Sequence, residues 1–175
     1  MILAFDPDLH HTAWAHCDAS HRLTGGIIEV GSFYKGDDAV REMAIELGME
    51  GPHHRLAGES TLIVESQELH LGHRSAPKDI IRLAQVAGAI LGAFGISPKT
   101  SMLVSPSTWK GQVPKEIHQA RVCKKLGWDF EAMSDHVRPA QKHWDGFTVH
   151  KPSDWKHLMD AVGLALWGLG KVSPT

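Results

Sequence analysis

The chain begins with Met1-Ile2-Leu3-Ala4-Phe5-Asp6-Pro7, an apolar run that stops at a carboxylate and a proline. A short apolar run that ends at a turn signal predicts a strand buried on both faces, with Asp6 at its carboxyl end. The run Thr61-Leu62-Ile63-Val64 likewise stops at an acid, Glu65. If these strands are parallel neighbours, both carboxylates lie at one edge of a sheet. Open α/β sheets bind their ligands at that edge.

A third acid comes from the other end of the chain, where residues 153–167 have the periodicity of a helix. His157 and Asp160 are three residues apart, so they share one face of that helix. Hard divalent cations prefer oxygen ligands and tolerate an imidazole. A single acid at a strand end is more often a turn former or a cap than a ligand. Two such strand ends combined with this helix face nevertheless predict a metal site.

Length and composition predict one domain over residues 1–175. The chain is 42% hydrophobic, which is enough for one buried core, and it has no segment able to span a membrane. Cys17 and Cys123 lack metal-binding spacing, and no secretory signal precedes the first strand. We therefore expect a reducing cytoplasm, with both cysteines acting as apolar filler.

The charges are unevenly placed, although the net charge is only −2. Residues 36–68 hold eight acids and two arginines, a net of −6, whereas residues 109–128 hold five Lys or Arg and one Glu, a net of +4. A protein that coats nucleic acid nonspecifically usually shows an overall basic excess, which is missing here. A local basic surface beside an acidic pocket is compatible with a polyanionic substrate and metal-dependent cleavage.

The remaining periodicity predicts an antiparallel opening and then alternating helices and strands. Gly25-Gly26 predicts a bulge or a close backbone approach within the third strand. Ser153 is the predicted cap of the last helix. The region 129–152 has no clear period, so we interpret it as an extended loop, either a lid on the active edge or a poorly ordered excursion. The other predicted elements are strands at 12–17, 22–30 and 101–105, helices at 39–47, 78–94 and 115–126, and a loop at 107–112. The strand at 101–105 is a short apolar run that ends at a proline, so we expect it to be buried.

The predicted helix at 78–94 is rich in small residues, which let another backbone approach closely. This composition suits either packing on the sheet or a dimer seam, and packing within the chain would be enough to account for it. The small residues are Ala84, Ala87, Gly88, Ala89, Gly92 and Ala93.

Taken together, these pieces resemble the RuvC family of Holliday-junction resolvases in order and spacing over nearly the whole chain. An acid after a hydrophobic strand is weak evidence alone, whereas the ordered set of four site residues with a Gln-x-x-Gly helix between them is more specific. The stretches that carry the resemblance are Ile2-Leu3-Ala4-Phe5-Asp6-Pro7 with Thr12-Ala13-Trp14, Leu62-Ile63-Val64-Glu65, Ala84-Gln85-Val86-Ala87-Gly88-Ala89, Ser105-Pro106-Ser107 before Trp109-Lys110, and His157-x-x-Asp160-Ala161.

The resemblance implies an α/β, RNase H-like fold, with a mixed five-stranded sheet flanked by helices. Family members act as homodimers and nick two opposed strands of four-way junction DNA with Mg²⁺ or Mn²⁺. It also implies that one set of residues is both catalytic and metal-binding. We expect Lys110 to contact DNA near the cut, and we assign Lys115, which begins the basic helix, to DNA binding as well. The implied catalytic and metal set is Asp6, Glu65, His157 and Asp160.

The chain departs from the family pattern in several places. The family usually has a glycine at the position of Asp8, and it commonly has a base-stacking aromatic residue at the position of Glu68. Leu69, His70 and His73 are the nearest candidates to stack in its place, and we assign Leu69 and His73 to DNA binding. The long region 129–152 and the missing basic excess also favour a divergent member. It would work in the bacterial cytoplasm, or in the host cytoplasm if a phage encodes it.

The chemistry that follows is an in-line displacement. Two metal ions held by Asp6, Glu65 and Asp160 would activate a water and stabilise the leaving 3′ oxygen, which yields a 5′ phosphate and a 3′ hydroxyl. His157 would complete a ligand shell or stabilise charge at the scissile phosphate.

Three alternatives stay open at the level of the sequence. One is another RNase H-like nuclease that acts on branched DNA or structured RNA. Another is a junction-binding protein that does not cut, although the complete acid set argues against it. A metal-free nucleotide-binding module is disfavoured because no Gly-rich phosphate loop is present.

Overall fold

A computed structural model of the chain describes residues 1–52, 60–66, 77–94, 100–130, 146–149 and 152–173. Their strands form one mixed sheet in the order β5-β4-β1-β2-β3-β6. β1 is antiparallel to β2 and parallel to β4, β2 is antiparallel to β3, and β4 is parallel to β5. The short β6 pairs in parallel with β3 at the edge. The strands are β1 Ile2–Asp6, β2 His11–Cys17, β3 Leu23–Glu29, β4 Thr61–Glu65, β5 Ser101–Val104 and β6 Phe147–Thr148.

Helices cover both faces of the sheet, so the predicted fold class, α/β with an RNase H-like mixed five-stranded sheet, is confirmed. The two-residue β6 is an addition to the five longer strands. Within the described ranges, no helix is long and apolar enough to cross a membrane. The helices are α1 Asp37–Glu50, α2 Pro77–Ala93, α3 Pro106–Trp109, α4 Lys115–Leu126 and α5 Trp155–Gly168, and a 3₁₀ turn at Pro152–Asp154 precedes α5.

β1 is buried on both faces, as its unbroken apolar run predicts. Because side chains alternate along a strand, Ile2 and Ala4 face the layer of α5, whereas Leu3 and Phe5 face the layer of α1 and α2. The helix α5 has buried residues around most of its surface and packs against β1 and β2. The contact between α5 and β1 is therefore among the most deeply buried parts of the described structure.

The glycine pair of β3 marks a close backbone approach. The pairing of β2 with β3 runs without interruption, so there is no bulge. A side chain at Gly25 would place its Cβ 2.7 Å from the carbonyl oxygen of Trp14. Of the two predicted interpretations, close approach is therefore the correct one.

Three local predictions were wrong. The strand at 101–105 was expected to be buried, but β5 is an edge strand whose Met102 and Leu103 are 42% and 54% exposed. The predicted loop at 107–112 instead contains most of α3, which has proline in its first turn. Ser153 lies in the 3₁₀ turn and Asp154 occupies the N-cap position of α5, without a capping hydrogen bond from its side chain.

Two further predictions concern the long region and the cysteines. Of region 129–152, residues 131–145, 150 and 151 lie outside the described residues, and the region contributes β6. Cys17 and Cys123 are both buried, which agrees with their expected role as apolar filler.

Candidate active site

Asp6 and Glu65 lie side by side at the carboxyl edge of the sheet. Phe5 pairs with Val64 in parallel β1 and β4, so the two acids are the next residues along each strand. Asp6 follows Ile2 and Ala4 in the alternation of β1, and Glu65 follows Ile63 in that of β4, so both carboxylates point towards α5. The predicted meeting of the two strand ends is confirmed.

The helix α5 completes the cluster. Its Asp160 is 2% exposed and lies close enough to raise the pKa of both Asp6 and Glu65. One turn earlier, His157 places its Nδ1 3.4 Å from Oδ2 of Asp6, and its side chain is about one-third exposed. The structure therefore brings together all four residues that the sequence singled out.

Because the carboxylates of this cluster are buried, they need positive charges close by. Desolvation, together with the neighbouring Asp6 carboxylate, raises the pKa of Glu65 to about 8. Desolvation also raises the pKa of Asp6, although contact with His157 opposes the increase. The hydrogen bond with Asp6 in turn raises the pKa of His157. Three buried acids at one point are stable as anions only beside cations.

Two lysines from the neighbouring helices supply such cations. Lys110 Nζ lies 3.4 Å from Oε2 of Glu65, and Lys115 Nζ lies 2.5 Å from Oδ2 of Asp160. Burial disfavours the charged ammonium of Lys115, but the carboxylates of Asp160, Asp6 and Glu65 together outweigh it and raise the pKa of Lys115. Both lysines were predicted to bind DNA. Their position at the acids is compatible with contact to a phosphate that enters the same site.

Two uncharged donors also hold the acids, and the sequence did not predict their roles. The indole Nε1 of Trp109 donates a 2.8 Å hydrogen bond to Oε2 of Glu65. The amide of Gln119 donates to Oδ1 of Asp160 at 3.2 Å and to the backbone carbonyl of Lys156 at 2.9 Å. Gln119 could have been suspected, because it lies one helical turn after Lys115 on the same face of α4. Trp109 carried no signal beyond its place next to Lys110.

Asp8, which stands where the family usually has glycine, closes the turn after β1 with its side chain. Its Oδ1 accepts hydrogen bonds from the backbone N–H groups of His10 at 2.8 Å and His11 at 3.1 Å. Thr12 reinforces the turn, since its hydroxyl donates to the carbonyl of Asp8 at 2.8 Å. An aspartate that bonds the backbone two and three residues ahead is a standard turn former. The departure therefore leaves Asp6 correctly placed.

A second histidine lies beside His157. The ring of His11 stacks on it with centroids 6.4 Å apart and an interplanar angle of 23°. His11 Nε2 is 3.6 Å from a carboxylate oxygen of Glu29, its partner in the β2–β3 pair. The exposed side of the site is thus lined by imidazoles.

The donor set fits a hard divalent cation in its chemistry, because it offers three carboxylates and one imidazole. Among the described residues, however, no group of three or more His, Cys, Asp or Glu side chains is arranged so that it could hold a metal ion. The ammonium groups of Lys110 and Lys115 lie against two of the acids instead. A metal ion at this site would therefore compete with the lysines for the same oxygens.

The predicted base-stacking residues cannot be placed. Glu68, Leu69, His70 and His73 all lie outside the described residues. The assignment of Leu69 and His73 to DNA binding stays a prediction.

Comparison with known proteins gives a consistent result at the level of the fold. No family model matches the chain, and no curated protein sequence matches it. Among solved structures, RuvC of Thermus thermophilus in complex with Holliday junction substrate is similar with a TM-score of 0.60 and 18% identity, over 99% of this chain and 98% of that one. A second Thermus thermophilus RuvC structure is similar with a TM-score of 0.55 and 17% identity, over 99% of both chains. The chain therefore has a RuvC-like fold.

Proposed function

We propose that the protein is a metal-dependent endonuclease that resolves four-way DNA junctions by paired, symmetric nicks. The observation that carries the proposal is the convergence of three buried acids, Asp6, Glu65 and Asp160, at the carboxyl edge of a RuvC-like sheet. Burying three acids together is costly for folding, so a site of this kind is more often functional than structural. The similarity to a RuvC whose structure was solved in complex with a Holliday junction substrate supports the choice of substrate.

Mg²⁺ or Mn²⁺ is the cofactor that the donor set favours, with Asp6, Glu65, Asp160 and His157 as the residues that would hold it. When bound, the metal would supply Lewis-acid activation of the attacking water and stabilisation of the leaving 3′ oxygen. The chain itself would hold the Asp160 carboxylate in place through the amide of Gln119. His157, which is in contact with Asp6 and partly exposed, would stand between the buried acids and the substrate.

Lys110 and Lys115 would change partners during this reaction. In the structure each ammonium neutralises one buried acid. With a divalent cation held by the acids, the ammonium groups of Lys110 and Lys115 would become available to the scissile phosphate at the same edge. The charge of the acids would thus be balanced both before and after the metal ion binds. The two lysine ammonium groups would then lie where the DNA backbone would lie.

A homodimer would supply the two sites that paired nicking needs, because a two-fold dimer matches the symmetry of a junction. The helix α2 supports this assembly. Its inner face is buried against the sheet through Val86, Ala87 and Ile90, whereas Ala84, Gly88 and Gly92 are exposed. A Cβ at Gly88 or Gly92 would meet nothing within 4 Å in this chain. Packing within the described part of the chain therefore does not explain the two glycines, and a second copy packed against them would.

Neutralising one acid tests the proposal. Asp6→Asn or Glu65→Gln removes a charged oxygen ligand but little of the DNA-binding surface, so cleavage of a labelled junction should be lost while gel-shift binding remains. Asp38→Asn is the matched control, since Asp38 lies on α1 and is about two-thirds exposed. Cleavage at wild-type rate by either site variant would contradict the proposal.

A further inference from the structure

Among the residues that the proposed mechanism has not used, Trp109 has the firmest contact with the acids. It lies at the end of α3, and its side chain is fully buried. Its indole N–H donates to Oε2 of Glu65 at 2.8 Å, although the two residues are 44 positions apart in the chain. A buried tryptophan normally finds a partner for this N–H. A buried acid is an unusual partner for the indole N–H. A buried carboxylate needs a positive charge nearby more than it needs close packing.

The indole ring is held in place from several sides. His118 of α4 contacts it edge to face, with centroids 4.7 Å apart and planes at 86°. Burial lowers the pKa of His118 to about 4, so this imidazole is neutral at neutral pH and packs as an aromatic ring. The ammonium of Lys110 lies 4.9 Å from the centroid of the indole ring.

The helix α5 approaches the same ring through Gly163. A Cβ at this position would be 2.9 Å from Cζ3 of Trp109 and 3.0 Å from Nε2 of His118. Only glycine leaves enough room, so the ring is fixed between α4 and α5. Asp160, three residues earlier in α5, is held by the same packing.

The contacts on the Glu65 carboxylate are made to one of its two oxygens. Trp109 and Lys110 both reach Oε2, so among the described residues these contacts leave Oε1 for a further ligand. Lys110 has a flexible stem and is expected to exchange partners, whereas the indole N–H cannot move without disturbing three elements. The lasting constraint on the carboxylate is therefore the hydrogen bond from Trp109.

We propose that Trp109 is a positioning residue that fixes the Glu65 carboxylate, so that one oxygen is retained by the indole N–H and the other faces the metal and the substrate. This inference rests on the proposed function, and it adds a residue that acts through Glu65 without touching DNA. Groups that orient a metal ligand typically contribute about 10- to 100-fold in metal affinity or activity.

The direct test is the indole N–H resonance of Trp109 in the ¹⁵N-labelled protein without DNA. The chain has six tryptophans, and the cross-peak lost in Trp109→Phe, or the one with a nuclear Overhauser contact to the His118 ring, identifies Trp109. We expect that cross-peak to shift in Glu65→Gln, where an amide replaces the carboxyl group that accepts the hydrogen bond. It should also shift when Mg²⁺ is added to the wild type, and this second shift should disappear in Glu65→Gln. A peak indifferent to both changes would overturn the inference.

Kinetics provide the second readout. Trp109→Phe removes the donor and keeps a smaller aromatic ring at the site, so the Mg²⁺ concentration for half-maximal junction cleavage should rise, or the rate at saturating Mg²⁺ should fall, by about 10- to 100-fold. Gly163→Ala keeps the donor and displaces the ring, so it should move the same two quantities in the same direction. Trp167→Phe is the matched control, because it lies seven residues after Asp160, about 10 Å further along α5, and should leave both unchanged.

The outcomes separate this inference from the proposed function. If the wild type cuts no junction while the Trp109 resonance responds to Glu65→Gln and to Mg²⁺, the positioning role stands and the nuclease proposal fails. If the wild type cuts and folded Trp109→Phe matches it in rate and Mg²⁺ requirement, the positioning role fails and the nuclease proposal stands. Should Trp109→Phe not fold, the resonance of the wild type and of Glu65→Gln decides.

Discussion

Glu65 and Asp160 are each held by one lysine and one uncharged N–H donor. Lys110 and Trp109 contact Glu65, while Lys115 and Gln119 contact Asp160. The lysine neutralises the acid, and the uncharged donor orients it. At the scale of single residues, Glu65 and Asp160 are thus each oriented by a neutral donor and neutralised by a lysine.

The pH dependence of stability should reveal the burial of Glu65. Its pKa is about 8 in the folded chain and near 4.5 when unfolded, so the folded state keeps a proton that the unfolded state loses. The free energy of unfolding should therefore decrease as pH rises from about 5 to 8 in EDTA. Denaturant titrations at several pH values measure this slope, and Glu65→Gln should reduce it. An unchanged slope in that variant would refute the assignment of the titrating group.

His157 gives a second prediction at this scale. If it binds metal or contacts phosphate, aspartate could replace part of that role, because oxygen suits Mg²⁺ better than nitrogen does. His157→Asp should keep measurable Mg²⁺-dependent nicking, whereas His157→Ala should lose more than about 100-fold, beyond the range typical of a residue that only orients a ligand. The measurement is the single-turnover rate of each variant on the same junction. An alanine variant as fast as wild type would exclude a catalytic role.

The sequence predicted the acids better than their partners. Asp6 and Glu65 could be found because each follows an apolar run, and their common face follows from the alternation of side chains in parallel strands. The contacts of Trp109 and Gln119 join positions 44 and 41 residues apart. Such pairs depend on how helices pack on the sheet, which local patterns do not record.

At the scale of elements, α2 and β5 show where local patterns mislead. Ser101–Val104 is apolar enough to be buried, yet β5 lies at the edge of the sheet, and Met102 and Leu103 are exposed on its two faces. The position of a strand within a sheet follows from chain topology. A pattern of four residues does not show whether the strand is central or at the edge. The exposed small residues of α2 pose a related problem, because composition alone could not decide between packing and a seam.

Gly88→Ala tests the role of α2. In an exposed helix position, alanine should stabilise the folded chain by about 0.5–1 kcal/mol. If Gly88 lies at a dimer seam, the added methyl group should also weaken association, so the mass measured by light scattering at micromolar concentration should fall towards that of a monomer. Gly48→Ala in α1 is the matched control, since a Cβ there also meets nothing within 4 Å. It should stabilise without changing the mass. A wild-type chain that is monomeric and still makes paired nicks would contradict the dimer.

At the scale of the molecule, the fold brings an acidic edge and a basic segment together. Lys115 begins the basic helix α4 and reaches Asp160 on α5. The +4 segment at 109–128 therefore borders the acids directly, although the chain as a whole carries −2. DNA would be attracted to this one side of the molecule. The uneven charge was visible in the sequence, but its placement next to the acidic edge required the packing of α4 on α5.

The central claim is metal-dependent cleavage that is selective for junctions. The direct measurement compares a labelled four-way junction, a linear duplex and a structured RNA, each incubated with Mg²⁺, Mn²⁺ or EDTA. The account predicts symmetric paired nicks in the junction, with 5′ phosphate and 3′ hydroxyl ends, in either metal and none in EDTA, while the duplex and the RNA stay largely intact. Cleavage that persists in EDTA, equal cleavage of duplex and junction, or cleavage of the RNA alone would contradict it.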